Sequence, residues 1–152
     1  MDYESLLDQA ACKGLIVKEK PLQSSDGRIK GNRIAIRQDL DTTIEKACVL
    51  AEELGHHYTS TGNILDLSTV ENRKQERQAR LWAYDCQIGL SGLISAYEND
   101  CKSKHEIAEF LEVTVDFLEE AIECYREKYG VYISFENYII YFIPNLIISK
   151  KI

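Results

Sequence analysis

The sequence predicts an α+β chain: a small antiparallel sheet packed on a central helix that carries the site, then a C-terminal helical lobe and a terminal strand pair. Three observations lead there. Short alternating runs separated by turn signals fall early, over residues 15–37. Long stretches with apolar residues at helical spacing, three of them opened by capping boxes, fill much of residues 42–129. Two further strand-like runs, Val131 to Phe135 and Tyr138 to Ile143, come last. At 152 residues and 45% hydrophobic content, the chain suits one compact body. Within it, residues 1–100 are expected to form the core that carries the site and residues 101–152 the helical lobe with its hairpin.

Residues 3–13 form a first helix, with Leu6, Leu7, Ala10 and Ala11 at helical spacing and Gly14 as its stop. Leu15 to Leu22 reads as a strand, Ser24-Ser25-Asp26-Gly27 as a turn, Arg28 to Lys30 as a short strand, and Gly31-Asn32 as a second turn. Arg33-Ile34-Ala35-Ile36-Arg37 alternates cleanly. The expectation is an antiparallel meander under the helix that follows. That helix opens with a capping box at Thr42 and Glu45. Its buried stripe is Ile44, Ala47, Cys48, Ala51 and Leu54 or Gly55. Glycine inside a helix costs about 1 kcal/mol against alanine. Gly55 therefore points to another backbone segment passing close by.

Thr59 to Leu67 reads as a loop, and Ser68 with Glu71 as a second capping box. On the helix expected over 69–88, Glu76 continues the inward stripe of Ala79 and Ala83. Arg73, Lys74, Arg77 and Arg80 fall mostly on the solvent side. A short apolar turn or helix follows at Ser91 to Asn99, then a helix over 105–111 capped by Ser103 and Glu106. After a tight turn at Glu112-Val113-Thr114, a longer helix runs to Tyr129 and stops at Gly130. Pro144 breaks the last strand.

The net charge of −7 argues against a general nucleic-acid surface. No run of 18 apolar residues suggests a membrane span. The acidic start, Met1-Asp2-Tyr3-Glu4, does not have the pattern of a signal peptide, so a cytoplasmic protein is expected. Five scattered cysteines without a C-x-x-C pair do not form a disulfide framework or a cysteine-rich zinc site.

Chemistry concentrates in Glu52-Glu53-Leu54-Gly55-His56-His57. Glu52 and His56 are four residues apart and share a helix face, with Glu53 beside them. This is the layout of an H-E-x-x-H metalloprotease helix, with Glu52 in place of the first histidine. A catalytic zinc needs three protein ligands and an open position. The candidates are Glu52, His56 and, from the next helix, Glu76, with Glu53 as general base. Two carboxylates and one histidine suit zinc and also manganese or iron(II). His57 pairs with Glu53 at the same spacing and is an alternative ligand or a neighbour supporting one. The plainer reading is a surface helix with acidic residues and a satisfied histidine.

Val49-Leu50-Ala51-Glu52-Glu53-Leu54-Gly55-His56-His57-Tyr58 resembles the zinc-helix segment, A-H-E-L-G-H, of the ImmA/IrrE family of metallo-endopeptidases. Arg33 to Ile36 resembles the strand that leads into it. Glu76-Arg77-Gln78-Ala79-Arg80-Leu81-Trp82-Ala83 resembles the family's E-x-x-A-N-x-F-A segment, with Arg80 and Trp82 where Asn and Phe are usual. The resemblance covers about residues 15–90. It implies a zincin-like core, His56 and Glu76 as metal ligands, and Glu53 as catalytic base. Glu52 either replaces the first ligand or marks weak metal binding or an inactive relative. It also implies narrow specificity for a helix-turn-helix repressor of a phage or mobile element.

Residues 107–129 themselves have a helix-turn-helix look. The second helix carries Asp116, Glu119, Glu120 and Glu123, which would repel phosphates, so direct DNA binding is not expected. A structural lobe or partner-docking role is the expectation.

Overall fold

A computed structural model of the chain describes residues 1–59 and 70–152. The loop expected from Thr59 to Leu67, past its first residue, and the capping box at Ser68 lie outside the described residues. The chain divides into two compact units, Met1–Gln87 and Ile88–Ile152.

The first unit contains α1 (Tyr3–Cys12), β1 (Ile16–Lys20), β2 (Gly27–Lys30), β3 (Arg33–Arg37), α2 (Thr43–Thr59) and α3 (Val70–Gln87). Asp2 caps α1, its carboxylate accepting from the Ser5 amide at 2.8 Å. The sheet order is β1-β3-β2. β2 and β3 form an antiparallel hairpin with Ile29 opposite Ile34. β1 runs parallel to β3, with Val17 opposite Ile34. The meander expected over residues 15–37 is therefore a mixed sheet. The residues after β1 carry the chain to the far side of β3, and Arg37 holds them there. Its Nε donates to the Leu22 carbonyl at 3.0 Å, and its guanidinium also reaches the Gln23 carbonyl and the Asp26 carboxylate.

Alternation places Ile34 and Ile36 on the inner face of β3, where both are buried. α2 packs there, and Gly27 at the start of β2 meets Val49 and Glu53. The Thr42 hydroxyl accepts from the Glu45 amide at 3.1 Å and starts the helix. Its buried stripe is Ala47, Cys48, Leu50, Ala51, Leu54 and Gly55. Ile44, expected in that stripe, is 37% exposed in the first turn. Leu50 and Leu54 are fully buried, each contributing about 1.5–3 kcal/mol. α3 turns Ala79 and Ala83 inward, and both are fully buried. Small residues on the facing stripes let the two helix backbones come close.

The second unit contains α4 (Gly89–Glu98), α5 (Lys104–Leu111), α6 (Val115–Tyr129), β4 (Tyr132–Phe135), β5 (Tyr138–Tyr141) and β6 (Ile147–Lys150). Ser103 caps α5 and Thr114 caps α6, each hydroxyl accepting a backbone amide three residues on. Glu112 between the helices adopts a left-handed conformation that turns the chain sharply. Leu118, Ala121, Tyr125, Ile140 and Phe142 form the core of this unit. The strands make an antiparallel sheet in the order β4-β5-β6. β6 goes beyond the expected strand pair: Pro144 interrupts the run, and the chain then returns alongside β5. The acids Asp116, Glu119, Glu120 and Glu123 of α6 are exposed. Among the described residues, no helix is long and apolar enough to cross a membrane.

Candidate active site

The candidate site belongs to the first unit, where α2 meets both β2 and α3. One helical turn separates Glu52 from His56, and Glu53 projects beside them. Gly55 sets the approach of the neighbouring helix. A methyl group there would run into the Ala79 carbonyl group, whose carbon would lie at 3.0 Å. The close backbone segment that an interior glycine implied is thus α3 at Ala79. Glu76 lies almost one turn before Ala79, so this approach brings it to α2. His56 Nε2 and Glu76 Oε2 lie 3.3 Å apart, with side chains 15% and 22% exposed. A turn further on, the rings of Tyr58 and Trp82 pack at 4.9 Å between centroids.

Glu53 faces the sheet. A methyl group on Gly27 would stand 3.0 Å from both Cγ and Oε1 of Glu53, and 2.7 Å from Val49 Cγ1. Gly27 is therefore part of the site, as the bare backbone that covers the carboxylate. Sequence spacing marks it only as a turn residue. Burial, then the negative charges of Glu52 and Glu76, push the Glu53 carboxyl up from 4.5 to about 7. A group that gains and loses a proton near neutral pH suits general acid–base work.

Glu52 is half-buried and close enough for its charge to act on Glu53. His57 is exposed, its ring edge-on to Tyr58 at 5.1 Å. Arg80 is exposed as expected, yet its Nε donates to Glu76 Oε1 at 3.1 Å. The spacing of Glu76 and Arg80, four residues apart on one helix, is the signal that could have found this pair.

Tetrahedral zinc with nitrogen and oxygen ligands at about 2.0–2.2 Å sets adjacent donor atoms roughly 3.3–3.5 Å apart. The 3.3 Å between His56 Nε2 and Glu76 Oε2 matches that edge, and both donor types suit the ion. The pair fits a divalent metal. Among the described residues, however, no group of three or more His, Cys, Asp or Glu side chains is arranged to hold one. Glu52, on the same face of α2, is the remaining candidate for a third position. His56 Nδ1 is buried without a hydrogen-bond partner among the described residues.

No curated protein and no solved structure matches the chain. A family model does: the IrrE N-terminal-like domain, a peptidase family, matches residues 10–123. That span takes in α2 and α3 entire, with Glu52, Glu53, His56 and Glu76. The match covers most of the chain and places it in the IrrE N-terminal-like domain family, whose general function is of the metallopeptidase type.

Proposed function

We propose that this chain is a metal-dependent endopeptidase of narrow specificity. One observation carries the reading: His56 and Glu76 meet across α2 and α3 at ligand spacing, with the half-buried Glu53 carboxyl, raised toward neutrality, within reach of the Glu76 charge. His56 and Glu76 would hold the ion, with Glu52 as third ligand. Zinc is the first choice, with manganese or iron(II) also suited to the donor set. When bound, the metal supplies Lewis-acid activation of water. Glu53 holds and returns the proton at its carboxylate, beside the bare backbone of Gly27. The proposed substrate, a helix-turn-helix repressor of a phage or mobile element, follows from the ImmA/IrrE resemblance of the Val49–Tyr58 segment.

Metal content after zinc loading and gel filtration tests the ligands. About one ion per chain is expected for the native protein, and loss in both His56→Ala and Glu76→Ala. Full metal content in either variant would overturn the assignment. Cleavage of candidate repressors tests the activity, and Glu53→Gln should abolish it while metal stays bound.

A second reading is a catalytically inactive relative that binds a repressor or other regulatory protein without cutting it. The hold of Arg80 on Glu76 favours it, because a cation there opposes a divalent metal. Zinc uptake only in a Glu52→His variant would select this reading.

A further inference from the structure

The sheet of the first unit has a second face that the site does not use. Alternation turns Gly27, Ile34 and Ile36 toward α2, and turns Lys18, Lys20, Arg28, Lys30 and Arg33 the other way. These five cations line a concave site of about 210 Å³, floored by Ala35, and no acidic residue lines it. All five are exposed. Among the described residues none of their side chains is hydrogen-bonded or ion-paired, whereas the neighbouring Arg37 side chain is paired with Asp26 and Asp39. Lys30 stands directly opposite Arg33 in the ladder. Like charges so placed destabilise a sheet. In a chain of net charge −7, this concentration of one sign is a local feature that an anionic partner would relieve.

We propose that this face docks an extended acidic segment of a partner protein, with Asp or Glu at alternate positions. In an extended chain, side chains on one side recur every two residues, about 6.4–6.8 Å. Lys18 and Lys20, and Arg28 and Lys30, have that same repeat along their strands. Arg28 and Lys18 flank Ala35 in one cross-strand row, so acidic side chains along the furrow meet cations on both sides. Ile16, 43% exposed at one end, offers an apolar contact. Nucleic acid fits less well. The cleft has no aromatic side chain on which bases could stack, and the overall charge opposes a long polyanion. The inference does not depend on the metallopeptidase reading, because α2 lies against the opposite face.

Fluorescence anisotropy on the full chain tests it. The probes are a labelled peptide alternating Glu and Thr, the same peptide with Gln for Glu, and single- and double-stranded DNA of similar length. The protein variants are Lys18→Glu/Arg33→Glu and, as a milder pair, Lys18→Gln/Arg33→Gln, with circular dichroism to confirm folding. The acidic peptide should bind, and the Gln peptide should not. Charge reversal should weaken binding about tenfold or more, with the milder pair in between. Affinity should fall as salt rises from about 0.05 to about 0.5 M. No binding of the acidic peptide at low salt, or equal binding by the reversed variant, would overturn the proposal. Tighter binding of either DNA would also overturn it and assign the face to phosphates.

Discussion

Glu53 makes the stability of the first unit depend on pH in a direction opposite to that of a salt-bridged carboxylate. Its carboxyl moves from 4.5 to about 7 on folding. Below about 4.5 the group is protonated in both states, and its favourable contribution is fully present. As pH rises toward 7 the unfolded chain releases the proton and the folded chain keeps it, so stability falls by about 1.4 kcal/mol per pH unit. Above 7 the loss is complete, about 3 kcal/mol in all. Glu53→Gln removes the ionisation and preserves the shape. The variant should match the native protein near pH 4.5 and exceed it by up to about 3 kcal/mol near pH 8. Urea unfolding at both pH values, with a chelator present, measures the difference by linear extrapolation. The chelator is essential, because a cation beside Glu53 would favour its ionised form. An equal difference at both pH values, or a less stable variant at pH 8, would refute a buried carboxyl strained by Glu52 and Glu76.

Three further predictions concern the contacts around the site. Gly55→Ala gains about 1 kcal/mol of helix propensity but drives a methyl group into the Ala79 carbonyl. The result should be a net loss of about 1–3 kcal/mol, seen as a lower melting temperature, with weaker metal uptake as His56 and Glu76 separate. Gly27→Ala presses on Val49 and Glu53 and should cost about 1–3 kcal/mol; an unchanged melting temperature would mean that β2 does not cover the carboxylate. Arg80→Asn should change stability by no more than about 0.5 kcal/mol and tighten metal binding several-fold in chelator competition. Unchanged affinity would show that Arg80 does not restrain Glu76.

Much of this architecture is legible in the sequence, and the limits have physical causes. The face of α2 is visible because 3.6-residue periodicity puts Ala47, Ala51 and Leu54 together and leaves Glu52 and His56 on its border. Gly55 is informative because a helix tolerates glycine poorly, so its presence implied the close approach that Ala79 makes. Strand direction is another matter. Alternation over β1 is the same whether the strand runs parallel or antiparallel, and the side-chain clamp that Arg37 places on residues 22–26 does not show in spacing. β6 was hidden because four residues after Pro144 carry little periodic signal. Gly27 and Arg80 look like a turn residue and a solvated cation until the second element beside each is in place.

Among the described residues of the first unit, His56 Nδ1, Tyr58 Oη, Gln75 Oε1 and Gln87 Oε1 are buried without a hydrogen-bond partner, and positions 53 and 56 are the two of energetic interest in the candidate site. A buried imidazole nitrogen such as His56 Nδ1, which has no hydrogen-bond partner among the described residues, costs about 1–3 kcal/mol if it stays unsatisfied. Ionising Glu53 at neutral pH adds about 3. Together these are a large share of the roughly 5–15 kcal/mol that holds a domain folded. A helix pair selected only for packing would carry apolar side chains there, as α2 does at Leu50 and Leu54. Local cost carried by titratable groups is a mark of a functional site. The variant Glu53→Met/His56→Leu removes both polar groups, and Met keeps the unbranched shape beside Gly27. In chelator near pH 8 the double variant should be more stable than the native protein by about 2 kcal/mol or more, and it should lose metal and cleavage. If it is less stable, the two polar groups contribute to packing, and the cost assigned to the site is misplaced.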